Sequence, residues 1–160
     1  MCISMDGSVV PSPSSTAAGG ILRSDSGRFI KAFAVNLGGG TITRAELVGI
    51  EQGLKLAWDL GVRKVLVQSD STTAIDLIEA ASQHNPHYRH IVEIRQWLSR
   101  DWQVKLEHIF REANHTADYL ASLGHSLPVG LHVFDVPSSM LAHWLYFDSI
   151  GVQNPRYLNT

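Results

Sequence analysis

The chain has 160 residues, 44% of them hydrophobic, which suits one domain with a sizeable core and leaves too little for two. With 13 Lys and Arg against 15 Asp and Glu, the formal charge is -2, so no global basic excess points to nucleic acid or a membrane surface, and any such partner must be held by a local patch. A single cysteine, Cys2, excludes an internal disulfide and a cysteine-based zinc site and fits a reducing compartment. The N-terminus has no basic segment leading into an apolar run, and nowhere are there 18 consecutive apolar residues. Neither secretion nor a membrane span is indicated, and an intracellular protein of the nucleus or cytoplasm is expected.

In chain order, Ile3 to Met5 is a short apolar stub stopping at the turn signal Asp6-Gly7-Ser8, and Val9 to Ser15, with two prolines, reads as a loop. Ala17 to Leu22 and Phe29 to Val35 are strand-like runs joined by a hairpin over residues 23–28. Gly38 to Gly40 lacks the Lys-Ser of a phosphate loop and is a connection. Thr43 then caps a helix with Glu46 at N3, the pattern of a capping box. Leu47, Ile50, Leu54, Ala57 and Trp58 keep helical spacing until Gly61.

Val62 to Gln68 is a buried strand ending at Ser69-Asp70-Ser71, which opens a helix bearing Ala74, Ile75, Leu77 and Ile78. After Pro86 a further helix sets Ile91, Ile94 and Leu98 on one face. Trp102 to Phe110 alternates as a half-buried strand, and a last helix carries Ala113, Ala117, Leu120, Ala121 and Leu123 to Gly124. The tail has Trp144, Leu145, Tyr146 and Phe147, apolar enough to dock. The expected organisation is a domain over residues 1–125 with a docking tail over 126–160. This order of elements predicts an α/β fold, a mixed sheet with helices on its faces.

Asp6, Glu46, Asp70 and Asp118 carry the chemistry. Each is expected where a strand ends or a helix begins, so a suitable fold gathers them. Carboxylates collected without basic partners repel one another, and a divalent cation is the usual reason for such a cluster. Each also has a local reading: Asp6 as a turn residue, Glu46 in a capping box, Asp70 as an N-cap and Asp118 on a solvated helix face. The histidines lack ligand spacing, and His84, His87 and His90 come nearest to a cluster. Trp97 and Trp102 read as packing residues, with stacking on a nucleotide as the alternative.

Asp6-Gly7-Ser8, Ala18-Gly19-Gly20-Ile21-Leu22-Arg23, Ala45-Glu46-Leu47, Ser69-Asp70-Ser71, and Arg111-Glu112-Ala113-Asn114 with Ala117-Asp118 occur in one order between Asp6 and Gly124. Together they resemble the type 1 ribonuclease H domain, in the reverse-transcriptase-associated form of plant retroelement-derived proteins. The resemblance implies a ribonuclease H-like five-stranded mixed sheet, with strands 1–3 antiparallel and the later strands parallel. It also implies a two-metal endonuclease that cuts the RNA strand of an RNA–DNA hybrid using two Mg²⁺ ions, Mn²⁺ being a substitute. Asp6 and Asp70 would be central metal ligands, Glu46 would serve the leaving-group side, and Asp118 would complete the site of the nucleophilic water.

Arg111 is the best placed basic residue for product release, ahead of His108 and His115. Arg89, Arg95, Arg100 and Lys105 are expected to contact phosphates, with Arg44, Thr72 and Asn114 as further nucleic-acid contacts. Positions near Ile42, Thr43 and Thr72 hold none of the amides that read 2′-hydroxyls in relatives. An alternative therefore stays open: a retroelement-derived binding or scaffolding module with weak or lost turnover. The resemblance further implies a monomeric domain and origin in a larger reverse-transcriptase-derived polyprotein. The chain departs from it in the first strand, expected to be short here because only five residues precede Asp6, where the family's is usually longer.

Overall fold

Side-chain alternation in the first strand fixes the two faces of the molecule. In β1 (Cys2–Pro11), Ile3 and Met5 are fully buried in the core of one face, and Ser4 and Asp6, one step out of phase, are buried on the other. The structure is a computed structural model, and it describes residues 1–11 and 14–151. β1 pairs antiparallel with β2 (Ser14–Arg23), which pairs antiparallel with β3 (Phe29–Gly38). On its other side β1 pairs in parallel with β4 (Lys64–Ser69), and β4 with β5 (Gln103–His108). A last strand, β6 (Gly130–Phe134), pairs antiparallel with β3, so the sheet has six strands in the order β5-β4-β1-β2-β3-β6.

Three expectations are corrected here. The first strand is ten residues long, and Val9–Pro11 and Ser14–Ser15 belong to the β1–β2 ladder rather than a loop; residues 12 and 13 lie outside the described residues. Pro11 ends the strand, where its missing N–H removes no bond from the interior of the ladder. The sheet has a sixth strand, drawn from the tail, where a five-stranded sheet was expected. In β6 the apolar Leu131 and Val133 face outward, 42% and 38% exposed, and this inverted alternation hides the strand from a reading of hydrophobicity.

The third correction concerns α1 (Ile42–Asp59). Its N-cap is Thr41, in extended conformation, whose hydroxyl accepts from Arg44 N at 3.1 Å. Glu46 is therefore the fifth helical residue and takes no part in a capping box; it is buried and turned to the sheet. The helix closes at Leu60, followed by Gly61 at φ +82°. α2 (Thr72–Ala80), capped by Ser71, and α3 (Tyr88–Leu98) lie on the same side as α1, enclosing Ile3, Met5, Phe33, Leu47, Ile50, Leu54, Val67, Ile91 and Ile94. Each such side chain contributes about 1.5–3 kcal/mol by leaving water.

The other face carries α4 (His115–Gly124), preceded by a 3₁₀ turn over Arg111–Ala113, and α5 (Ser139–Gly151). α4 presses onto β2 at Gly19, where a Cβ would come within 2.3 Å of Ala121 N, so only glycine admits the helix. Leu141 of α5 joins Ile21, Ala32 and Leu120 in a small second core, while Tyr146 and Phe147 stay largely exposed. No helix among the described residues is long and apolar enough to cross a membrane.

Candidate active site

Sheet register brings the acidic residues together. β1 and β4 run in parallel with Met5 opposite Ser69, so Asp6 and Asp70 are the next residues of adjacent chains at the point where β4 ends. Asp6 is thus inside β1 but beyond its pairing with β4, rather than at a strand terminus. Glu46 reaches the same point from the first turns of α1, which pass over Gly7; a Cβ there would meet Ala45 Cβ at 3.0 Å and Glu46 N at 3.1 Å. Carboxylate oxygens of Asp6, Glu46 and Asp70 all lie within 4.8 Å of one another. Asp118, exposed on the first turn of α4, stands close enough to act electrostatically on both Asp6 and Asp70. Three of the four carboxylates named from the sequence therefore meet within coordinating distance, and the fourth, Asp118, acts on them from the edge of the cluster.

The electrostatics match a cluster lacking its counter-charge. Asp6 is pushed up to about 9, first by burial and then by Glu46, Asp70 and Asp118. Glu46 is raised to about 7, by burial and by Asp70, against the lowering effects of the Gly7 N–H, the neighbouring Asp6 and Arg111. Asp70 is also raised, by burial first, with Arg111, Asn114 and His108 pulling it down. Asp6 Oδ2, Glu46 Oε2 and Asp70 Oδ2 are buried without any hydrogen-bond partner. Hard divalent cations take oxygen ligands of this type, so the donor set fits them. The cluster floors an open depression of about 400 Å³ lined also by Gly7, Ile42, Ser71, His108, Phe110 and Arg111.

Arg111 sits at the mouth of this depression, where the sequence placed it. His108, ranked behind it, lines the same wall and lowers Asp70 alongside it; its position as the last residue of β5 was the available signal. His115 instead points away, to Asp148 on α5. Asn114 is buried, 1% exposed; its amide donates to Met5 O at 3.0 Å, bracing β1 beside the cluster, and its side chain also lowers Asp70.

The basic residues expected to hold nucleic acid do not form one surface. Arg95 donates to the carbonyls of Ile78, Leu77 and Ala81 and closes the end of α2. Arg100 stacks over Trp97 at 3.6 Å, in a cluster with Trp58, Trp102 and Arg63. That cluster adjoins the beginning of β5, about 16 Å of strand away from its other end. Lys105 is within β5, Arg89 is exposed beside Glu93, Thr72 is exposed at the start of α2, and Arg44 donates to Gly39 O. His84, His87 and His90 do not gather. His90 approaches Glu51 and Glu93 instead, and Glu51 already pairs with Lys55 at 3.2 Å.

Comparison with known proteins bears on the family and the fold. A family model described as "Reverse transcriptase-like" matches residues 4–124. The chain is 32% identical over 155 residues to an Arabidopsis thaliana protein named "Putative ribonuclease H protein"; the match covers 96% of the chain and 25% of that relative, so the chain spans about a quarter of its length. Among solved structures, RNase H1 from the halophilic archaeon Halobacterium salinarum superposes with TM-score 0.71 at 25% identity, over 77% of this chain and 95% of that one. LC11-RNase H1, solved in complex with an RNA/DNA hybrid, shares the fold with TM-score 0.70 at 20% identity, over 78% and 96% of the two chains. The chain belongs to the reverse transcriptase-like family, and its fold is that of a ribonuclease H domain.

Proposed function

We propose that this chain is a metal-dependent endonuclease that hydrolyses the RNA strand of RNA–DNA hybrids. The observation that carries the reading is the convergence of Asp6, Glu46 and Asp70, each with a buried oxygen left without a partner. These three, with Asp118, would hold two divalent cations, Mg²⁺ or Mn²⁺. When bound, such a pair supplies positive charge to the attacking and leaving oxygens of a phosphodiester.

The remaining work falls to the chain itself. Burial of Asp6 and Glu46 keeps water from competing for their oxygens. Asn114 anchors the backbone at Met5, holding Asp6 in register with Asp70. Gly7 leaves the floor of the depression open beside Glu46, where a scissile phosphate fits between α1 and the end of β5. Arg111 and His108 supply cationic or hydrogen-bonding groups on the opposite wall, suited to a phosphate in the ground state and to product departure.

A second reading, a module that binds hybrids without efficient turnover, is favoured by the side chains near the depression. Ile42, Thr43 and Thr72 offer no amide to a 2′-hydroxyl, the group that distinguishes RNA from DNA. One experiment separates the two: an end-labelled RNA–DNA hybrid incubated with Mg²⁺ or Mn²⁺ and the purified chain, beside Asp70→Asn. Cleavage confined to the RNA strand and lost in the variant supports the nuclease. A hybrid bound but uncut under both metals supports the module.

A further inference from the structure

The N-terminus of α4 is completed from a distant part of the chain. Its own N-cap residue, Asn114, makes no side-chain capping bond: its Nδ2 donates to Met5 O, and its Oδ1, the atom a cap would use, accepts from no backbone N–H of the helix. The first amides of that turn, which a helix cannot satisfy internally, are taken instead by Asp148 of α5. Asp148 is 3% exposed; its Oδ1 accepts from His115 N at 2.9 Å, and its Oδ2 accepts from Thr116 N at 2.8 Å and from Thr116 Oγ1 at 2.6 Å. Oδ1 also lies 3.1 Å from His115 Nδ1. The His115 ring stacks on Trp144 at 5.6 Å between centroids, 6° from parallel, and meets Phe147 edge-on at 4.9 Å. One carboxylate and two aromatic rings of α5 therefore grip a single turn of α4.

That turn carries the fourth carboxylate. Asp118 N donates to Asn114 O at 3.1 Å, so Asp118 is fixed one helical step from the gripped residues, with its carboxylate near enough to act on Asp6. We propose that Asp148 is a positioning residue of the metal site: by capping α4 it sets the first turn and holds Asp118 against Asp6, which makes α5 part of the catalytic unit. The part of the chain that matches the family model ends at residue 124, before α5 begins. The inference rests on the proposed metal-dependent function.

The test is Mn²⁺ binding to the full chain, measured by calorimetry and by loss of the free-ion electron paramagnetic resonance signal. Groups that orient metal ligands typically change affinity about 10–100-fold when removed. Asp148→Ala is expected to weaken Mn²⁺ binding about tenfold, at the low end of that range. Asp148→Asn, which keeps one acceptor oxygen, is expected to recover part of the loss. Ile94→Ala, in the core on the opposite face, controls for lost stability and is expected to bind Mn²⁺ like the parent chain. If Asp148→Ala does not fold, Thr116→Val removes only the hydroxyl bond and is expected to weaken binding in the same direction by less. Unchanged Mn²⁺ affinity in the Asp148 or Thr116 variants, or an equal loss in Ile94→Ala, overturns the proposal. Absence of Mn²⁺ binding by the parent chain overturns the metal-dependent reading beneath it, a result that no Asp148 variant can mimic.

Discussion

Asp6 and Asp70 are neighbours because Met5 and Ser69 are partners in the parallel ladder between β1 and β4. The backbone hydrogen bonds of that ladder hold together two carboxylates that repel each other, and Asn114 adds a tie at Met5 O. The repulsion is a cost that folding meets in the absence of a cation. Asp70→Asn is therefore expected to raise the melting temperature in chelator, on the order of 2–4 °C for each kcal/mol of repulsion removed, while abolishing cleavage. Mg²⁺ is expected to stabilise the parent chain and leave the variant nearly unmoved, since a ligand stabilises only the state that binds it. A variant that melts lower than the parent in chelator would assign Asp70 a structural role instead.

The pH dependence of metal-free stability follows from the same cluster. Asp6 rises from an ordinary value of 3.8 to about 9 on folding, and Glu46 from 4.5 to about 7. Between those limits the folded state binds more protons than the unfolded chain, so stability falls as pH rises. The contribution is intact below the ordinary values and lost as pH climbs through about 7 for Glu46 and about 9 for Asp6. Melting curves in chelator are expected to shift downward from pH 5 to pH 9, with a flatter profile in Asp6→Asn. Because Mg²⁺ displaces those protons, its stabilising effect is expected to be larger at pH 8 than at pH 6. A profile for Asp6→Asn that parallels the parent would remove the cluster as its cause.

What the sequence disclosed and what it hid divide along one line: local periodicity against distant contact. Leu47, Ile50 and Leu54, like Ile91 and Ile94, announced their buried faces by helical spacing, and each is fully buried. The helix start moved from Thr43 to Thr41 because both threonines suit a cap, and Glu46 three residues after Thr43 imitates a capping box. Val9 and Val10 are exposed beside prolines, so nothing in their burial marks the long end of β1, which pairing with β2 alone sustains. The four acidic residues were legible as a set because each stands beside a motif. Asp148 was not, since its partners His115 and Thr116 are more than 30 positions away and no spacing rule links them.

Arg95 was assigned to phosphates, and the structure gives it another task. Its guanidinium satisfies three carbonyls at the end of α2, so Arg95→Ala leaves acceptors exposed to a partly dry interface. A loss of about 1–3 kcal/mol in stability is expected, with the salt dependence of hybrid binding unchanged. Hybrid binding is then expected to depend on other cations, chiefly Arg111 at the depression, with Arg44 as a further contact. With two to four phosphate contacts at about -0.9 each, the slope of log K against log salt is expected at roughly -2 to -4. Arg111→Ala is expected to flatten the slope by about one contact. A flattened slope in Arg95→Ala would return that residue to the binding surface.

Gly19 offers the sharpest test of how the sheet places Asp118. A methyl group there would lie 2.3 Å from Ala121 N, 2.4 Å from Leu120 C and 2.6 Å from Leu120 Cβ. Two of these are backbone atoms, so no rotamer change relieves the clash, and α4 must move away from β2. Overpacking of this kind costs about 1–3 kcal/mol or more. Because Asp118 rides on α4, the same displacement draws it from Asp6. Gly19→Ala is therefore expected to lower the melting temperature and to raise the Mg²⁺ concentration needed for half-maximal cleavage. Gly39→Ala is the matched control, since no atom lies within 4 Å of its added methyl and its φ is not in the left-handed region; a change within about 0.5 kcal/mol is expected. If Gly19→Ala loses stability but keeps the parent's Mg²⁺ requirement, the position of Asp118 does not limit metal binding, and three carboxylates suffice.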